Sequence, residues 1–167
     1  MNYKYFIIAL VILPALVGAG CQFNQQPVTN PTNEIPAEVP TGTSGSTLNL
    51  SNQGLTSLPK YVLDKTSLKE LNISNNNLTG ALPGEIRFLQ NLEILNASYN
   101  KMTGVPAEVG QLSKLKILDL SYNQLTGLPN EIGNLKQLQK LILTGNNPSA
   151  QDLAVIKSAL PNLQVIY

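Results

Sequence analysis

From Leu48 onward the sequence repeats itself. Five segments share the arrangement L-x-L-x-x-N-x-L: Leu48 to Leu55, Leu71 to Leu78, Leu95 to Met102, Leu118 to Leu125 and Leu141 to Pro148, with starts 23, 24, 23 and 23 residues apart. A period of this length constrains the chain more than its composition does, because each copy must form the same unit and can bury its apolar side only against its neighbours. Within L-x-L the two leucines point to one side of a short strand and the residues between them to the other, since side chains alternate along an extended chain. Successive copies then pair into a parallel sheet. The second half of a copy, as in Leu128-Pro129-Asn130-Glu131-Ile132-Gly133-Asn134-Leu135, brings the chain back with Leu128, Ile132 and Leu135 inward, and proline there suits the start of a helical turn. What one such coil buries falls short of what ordering its residues costs, so a single coil cannot fold and stability must come from the interfaces between coils.

Asn76, Asn100, Asn123 and Asn146 stand at the bend after the strand, where backbone groups turn inward and need partners. An amide both donates and accepts, so these four are expected to link the coils in a ladder, which Gln53 breaks in the first copy. The extra residue of the second copy falls in Thr79-Gly80-Ala81-Leu82-Pro83. After the fifth copy, Pro148-Ser149-Ala150-Gln151-Asp152 has the form of a capping box with Asp in place of Glu or Gln. Leu153, Ile156, Lys157 and Leu160 then recur at helical spacing, Pro161 stops that helix, and Leu163 to Tyr167 supplies a last partial strand.

On these motifs residues 47–167 resemble the leucine-rich repeat family. The resemblance implies an α/β solenoid: a short right-handed horseshoe arc with a parallel sheet on its concave side, short helical or irregular segments on its convex side, and a C-terminal capping helix like the closing turn of bacterial members. Leu-Thr-Gly-Ala-Leu-Pro-Gly-Glu-Ile and Leu-Thr-Gly-Leu-Pro-Asn-Glu-Ile are similar to phrases of plant receptor ectodomains, which normally carry flanking cysteine pairs absent here. No comparable cap precedes Thr47, so the first coil's strand edge is expected to be poorly protected. The motif specifies fold and says little of function, because members share a scaffold and little else.

The segment ahead of the repeats is of another kind. Lys4 is the only charge before the apolar run Phe6 to Val17, which at twelve residues is too short to cross a bilayer of ~30 Å and suits the apolar region of a signal peptide. Gly18, Ala19, Gly20 and Cys21 follow, and small residues before a cysteine resemble the bacterial lipoprotein signal. That resemblance implies acylation of the Cys21 thiol, a membrane-anchored exported protein and, from Gln22 in a Gram-negative cell, transfer to the outer membrane. Cys21 is the only cysteine, which fits an anchor better than a lone reactive thiol. An ordinary secretory signal cleaved near Ala19, or a retained membrane anchor, is the alternative. Residues 22–46 shift to Gln, Asn, Pro, Thr, Gly and Ser, a composition that cannot offset its ordering entropy and so predicts a disordered tether. Such a tether spans roughly 25 to 30 Å as flexible coil. Ile35 to Val39 folding back over the first repeat is the competing possibility. Asn-x-Ser/Thr triplets such as those at Asn72, Asn77 and Asn96 read as by-products of the repeat rather than as glycosylation sites.

Recognition in the family usually occurs on the concave sheet, so its outward columns are the candidate surface. They read Thr47, Glu70, Ile94, Ile117, Lys140 and Val165; Asn49, Asn72, Asn96, Asp119, Ile142 and Tyr167; Ser51, Ser74, Ser98, Ser121 and Thr144; and Asn52, Asn75, Tyr99, Tyr122 and Gly145. The later copies gather Ile94, Asn96, Tyr99, Ile117, Asp119, Tyr122, Lys140 and Ile142, and tyrosine beside isoleucine is the composition of an interface centre for a protein or peptide. Asn, Ser and Tyr as generic fillers of the repeat is the competing reading. An enzyme is disfavoured: the chain has no His, and no pair of carboxylates stands at glycosidase spacing. No cofactor or metal is implied, since the Asn and Asp residues do not form a calcium loop. The 11 basic residues less Lys4 balance the 10 acidic ones, with no basic stripe for a nucleic acid. Asn, Ser and Tyr also suit an envelope glycan, and the uncovered first coil suits self-association into a structural envelope protein.

Overall fold

A computed structural model describes residues 46–167. The signal-type segment ending at Cys21 and the expected tether, Ser46 apart, lie outside the described residues. In chain order the elements are β1 (Thr47–Asn49), α1 (Lys60–Leu63), β2 (Glu70–Asn72), β3 (Thr79–Gly80), a 3-10 helix over Gly84–Phe88, β4 (Ile94–Asn96), β5 (Lys101–Met102), a 3-10 helix over Ala107–Gln111, β6 (Ile117–Asp119), a 3-10 helix over Asn130–Asn134, β7 (Lys140–Ile142), α2 (Ala150–Ala159) and β8 (Gln164–Ile166).

Each L-x-L contributes one strand, and the strands pair in parallel in the order β1-β2-β4-β6-β7-β8. Leu48, Leu71, Leu95, Leu118 and Leu141 stand in register as one column, as the repeat requires. A second, two-stranded sheet pairs β3 with β5 beside the bends of the second and third copies. The leucine columns merge with Val62, Ile86, Val109 and Ile132 from the returning segments into one core. Pro59, Pro83, Pro106 and Pro129 immediately precede the helical turns at φ −62°, −65°, −72° and −69°, the range to which the pyrrolidine ring confines them. The turns pack closely enough that a Cβ at Gly110 would overlap the backbone carbonyl of Glu131, and one at Gly133 would come 2.8 Å from Ala159 Cβ.

The asparagines at the bend bridge neighbouring coils. Asn100 Oδ1 accepts the Leu78 amide at 3.0 Å, and its Nδ2 donates to the carbonyls of Ile73, Ala97 and Ser98. Asn123 does the same for Met102, Ala97, Leu120 and Ser121, and Asn76 for Gln53, Leu55, Leu50, Ile73 and Ser74. Asn146, less buried, accepts from Leu125 and donates to Leu120 and Leu143. Each side chain therefore satisfies backbone groups of its own bend and of the coil before it.

Two expectations at the C-terminal end are corrected. Gln164, not Val165, pairs with Lys140; Val165 falls on the leucine column opposite Leu141, and Ile166 pairs with Ile142. Three consecutive apolar residues, Val165, Ile166 and Tyr167, leave the alternation ambiguous, and the core fixes it by drawing in Val165. The capping box is half formed: Ser149 Oγ accepts the Asp152 amide, but the Asp152 carboxylate, too short to return to the N-cap, takes the Leu128 amide of the preceding coil at 2.9 Å. Leu153, Ile156 and Leu160 of the α2 region are buried, whereas Lys157 is exposed and lies over the Tyr167 ring.

Replacing Asn100 or Asn123 by Ala should strand several buried backbone groups and cost about 1 to 3 kcal/mol. Urea unfolding of each variant against the parent measures this; midpoints unchanged from the parent would show that the bridges contribute nothing.

Candidate binding surface on the sheet face

Adjacent strands bring the expected surface residues together as columns. Glu70, Ile94, Ile117 and Lys140 succeed one another in register, and Asn72, Asn96, Asp119 and Ile142 form the column two residues further on. Ile94, Asn96, Ile117, Asp119 and Ile142 are half-buried and Lys140 is exposed. Tyr99 and Tyr122, beyond the strand ends, are 50% and 47% exposed.

The Asx column has a local duty. The Oδ1 atoms of Asn49, Asn72, Asn96 and Asp119 each accept, at 3.0 Å, the amide of the serine two residues on: Ser51, Ser74, Ser98 and Ser121. This is the Asx turn, which starts the bend after each of these four strands. Ser98 and Ser121 also donate their hydroxyls to the same oxygens at 2.7 Å. Ser74, Ser98 and Ser121 are consequently buried, which corrects their expected exposure on the sheet face.

The next residue of every copy takes the left-handed backbone region: Asn52 at φ 60°, Asn75 at 53°, Tyr99 at 53°, Tyr122 at 52° and Gly145 at 75°. Glycine adopts this conformation freely and asparagine tolerates it, whereas a bulky side chain pays roughly 1 to 2 kcal/mol. The two rings stack with centroids 4.3 Å apart at an interplanar angle of 18°. Tyr122 in turn lies against Gly145, where a Cβ would come 2.8 Å from its Cδ1. Such a stack returns about 0.5 to 1.5 kcal/mol against the roughly 2 to 4 kcal/mol that the two residues pay together, so the pair does not stabilise the fold and is held where both rings meet solvent. Asn and Gly in one column at the repeat period are the signal by which the left-handed position could have been found in the sequence.

Charges around the face differ in their pairing. At its edge Glu93 accepts Lys116 Nζ at 2.6 Å and lies 3.9 Å from Lys69 Nζ; the Lys116 hydrogen bond, with the charges of the lysines, holds its carboxyl below the usual glutamate range. Asp119 has no lysine or arginine within ion-pair distance among the described residues. Desolvation beside the stacked ring, reinforced by Tyr122 and Asp119, raises the Tyr99 phenol above the ordinary tyrosine value. Away from this face, Phe88 is exposed with the Arg87 guanidinium 4.7 Å from its ring centroid. Among the described residues no three acidic or cysteine side chains gather as they would to hold a metal ion.

A family model described as a leucine-rich repeat region matches residues 48–166. Among solved structures, a leucine-rich repeat protein of Leptospira interrogans aligns at 45% identity with a TM-score of 0.63, over 67% of this chain and 28% of that one. The ectodomain of the Arabidopsis thaliana receptor kinase SOBIR1 aligns at 32% identity and 0.57, over 71% and 65%. The plant peptide hormone receptor RGFR1 in complex with RGF2 aligns at 35% identity and 0.58, over 72% and 20%. The chain thus spans under a third of the Leptospira protein and about two thirds of the SOBIR1 ectodomain. No curated protein sequence matches it.

Replacing both tyrosines by Asn, the residue of the first two copies at this position, should lower unfolding free energy by no more than about 1 kcal/mol and can raise it, since relief of left-handed strain at two positions at least offsets the lost stack. A calorimetric loss well beyond that would show that the rings hold the fold. In an absorbance titration Tyr99 should ionise above the ordinary tyrosine range, and Tyr122→Asn should bring it down. The fold favours the neutral phenol, so the associated stability is complete below the unfolded tyrosine value of about 10 and is lost as pH rises beyond it. Unshifted ionisation in both proteins would contradict the stacked arrangement.

Proposed function

The chain belongs to the leucine-rich repeat family, and from that premise we propose that it is a non-catalytic module displayed outside the cytoplasm on a lipid anchor at Cys21, taking a protein or peptide against the sheet face. The family's fold is that of a protein–protein interaction scaffold, and the plant receptor RGFR1 was solved with RGF2 bound. One observation carries the choice of surface. The third and fourth copies depart from the others at outward positions, with Ile94 and Ile117 in place of Thr47 and Glu70, and Tyr99 and Tyr122 in place of Asn52 and Asn75, while their leucine cores and bridging asparagines keep the repeat. Exposed aromatic rings beside aliphatic side chains provide rigid apolar area at small entropic cost, as interface centres do. Support for the anchor is the apolar segment and small residues ahead of Cys21.

The binding reading is tested by capture from envelope extracts on the immobilised full chain, with and without protease treatment of the extract. The expected partner is protease-sensitive and is lost when Ile94 and Ile117 are both replaced by Ser. Capture that survives protease indicates a glycan instead, and capture indifferent to the double substitution removes the sheet face as the site. For the anchor, intact-mass measurement of the membrane-extracted protein should show a diacylglycerol adduct at Cys21, and an unmodified thiol there would refute it.

A further inference from the structure

The repeats serve as controls for one another. In copies one to three the Asx turn is made by Asn49, Asn72 and Asn96, so the fold needs only a side-chain oxygen at this position. Copy four places a carboxylate there, with the same 3.0 Å bond to the following serine amide. The charge of Asp119 is thus more than the bend requires. It is half-buried, one of its oxygens is occupied by Ser121, and no cation among the described residues neutralises it. Within its own strand Ile117 precedes it by two residues, with Ile94 alongside, and the stacked Tyr99 and Tyr122 follow.

We propose that Asp119, the Tyr99–Tyr122 stack and the Ile94–Ile117 pair form a subsite for a lysine or arginine side chain of an extended peptide. This rests on the sheet face being the binding surface. Charge complementarity selects the occupant: a partly desolvated carboxylate attracts a cation more strongly than one in open water, and the electron-rich tyrosine rings add to that attraction. The aliphatic stem of such a side chain covers the isoleucines while its charged head reaches the carboxylate. Lys140, next after Ile117 in its column, repels a cation from that side, so the ligand's basic group approaches from the coil carrying Asn96.

The probe is a random dodecapeptide library displayed on phage and panned against the immobilised full chain. Enriched peptides should share a lysine or arginine. A synthetic copy of one should bind Asp119→Asn roughly tenfold or more weakly, a change that keeps the turn the other copies make with Asn. Lys140→Ala should strengthen binding, opposite in sign, and raising salt should weaken binding to the parent more than to Asp119→Asn. Replacing both Ile94 and Ile117 by Ser separates the two ideas. Binding lost in that variant but unchanged in Asp119→Asn, or enriched peptides without a basic residue, would overturn the cation subsite and leave the sheet face standing. Binding unchanged in both would remove the face as well, and a library yielding no binder would exclude a peptide ligand.

Discussion

Registration of one coil on the next depends on the bridging asparagines. The leucine interior supplies most of the favourable free energy, but burial is non-directional and would tolerate coils sliding past one another. Asn76, Asn100 and Asn123 do not tolerate it: each amide holds carbonyls of its own bend and of the preceding coil at about 3 Å. A displaced coil would leave buried donors and acceptors without partners, and that penalty is steep in a dry interior. Strand register follows from this bridge and from the leucine column together, and every outward column inherits its alignment from that register.

How much of this was legible in the sequence varied with how strongly the period governed each feature. The solenoid, the parallel strands and the leucine column follow from L-x-L recurring five times, and the structure has them. What the period does not govern is less legible. β8 lies past Pro161, outside the five repeats, so the position of Val165 is decided by the core rather than by pattern. The serine column looked outward by strict alternation, but the strand has already ended there and the chain is turning, which carries Ser74, Ser98 and Ser121 inward. The left-handed position at Tyr99 and Tyr122 was visible only in the Asn and Gly that share its column.

The arrangement separates what holds the coils from what they display. Inward leucines recur in each copy, the bend asparagine in the second to fifth, the Asx acceptor in the first four and the left-handed residue in all five, and an asparagine can perform the last three duties, as Asn72, Asn75 and Asn76 do side by side in the second copy. Where a copy uses tyrosine or aspartate for a duty asparagine performs, stability offers no reason for the choice. Repetition therefore identifies, without any second sequence, the side chains that the fold leaves unexplained.

The position of those side chains follows from the same mechanics. Among the described residues β1 is paired on one edge only, whereas β4 and β6 have a bonded strand on each side. Asn100 and Asn123 lie in the same inner coils and are more buried than Asn146, whose side chain is half-buried near the C-terminal end. A recognition site needs its side chains held to within a fraction of an ångström, which favours elements locked from both sides over those at an end. Tyr99, Tyr122 and Asp119 occur on just those inner coils, where strain in the left-handed backbone can be sustained because the bonds around it over-determine the conformation.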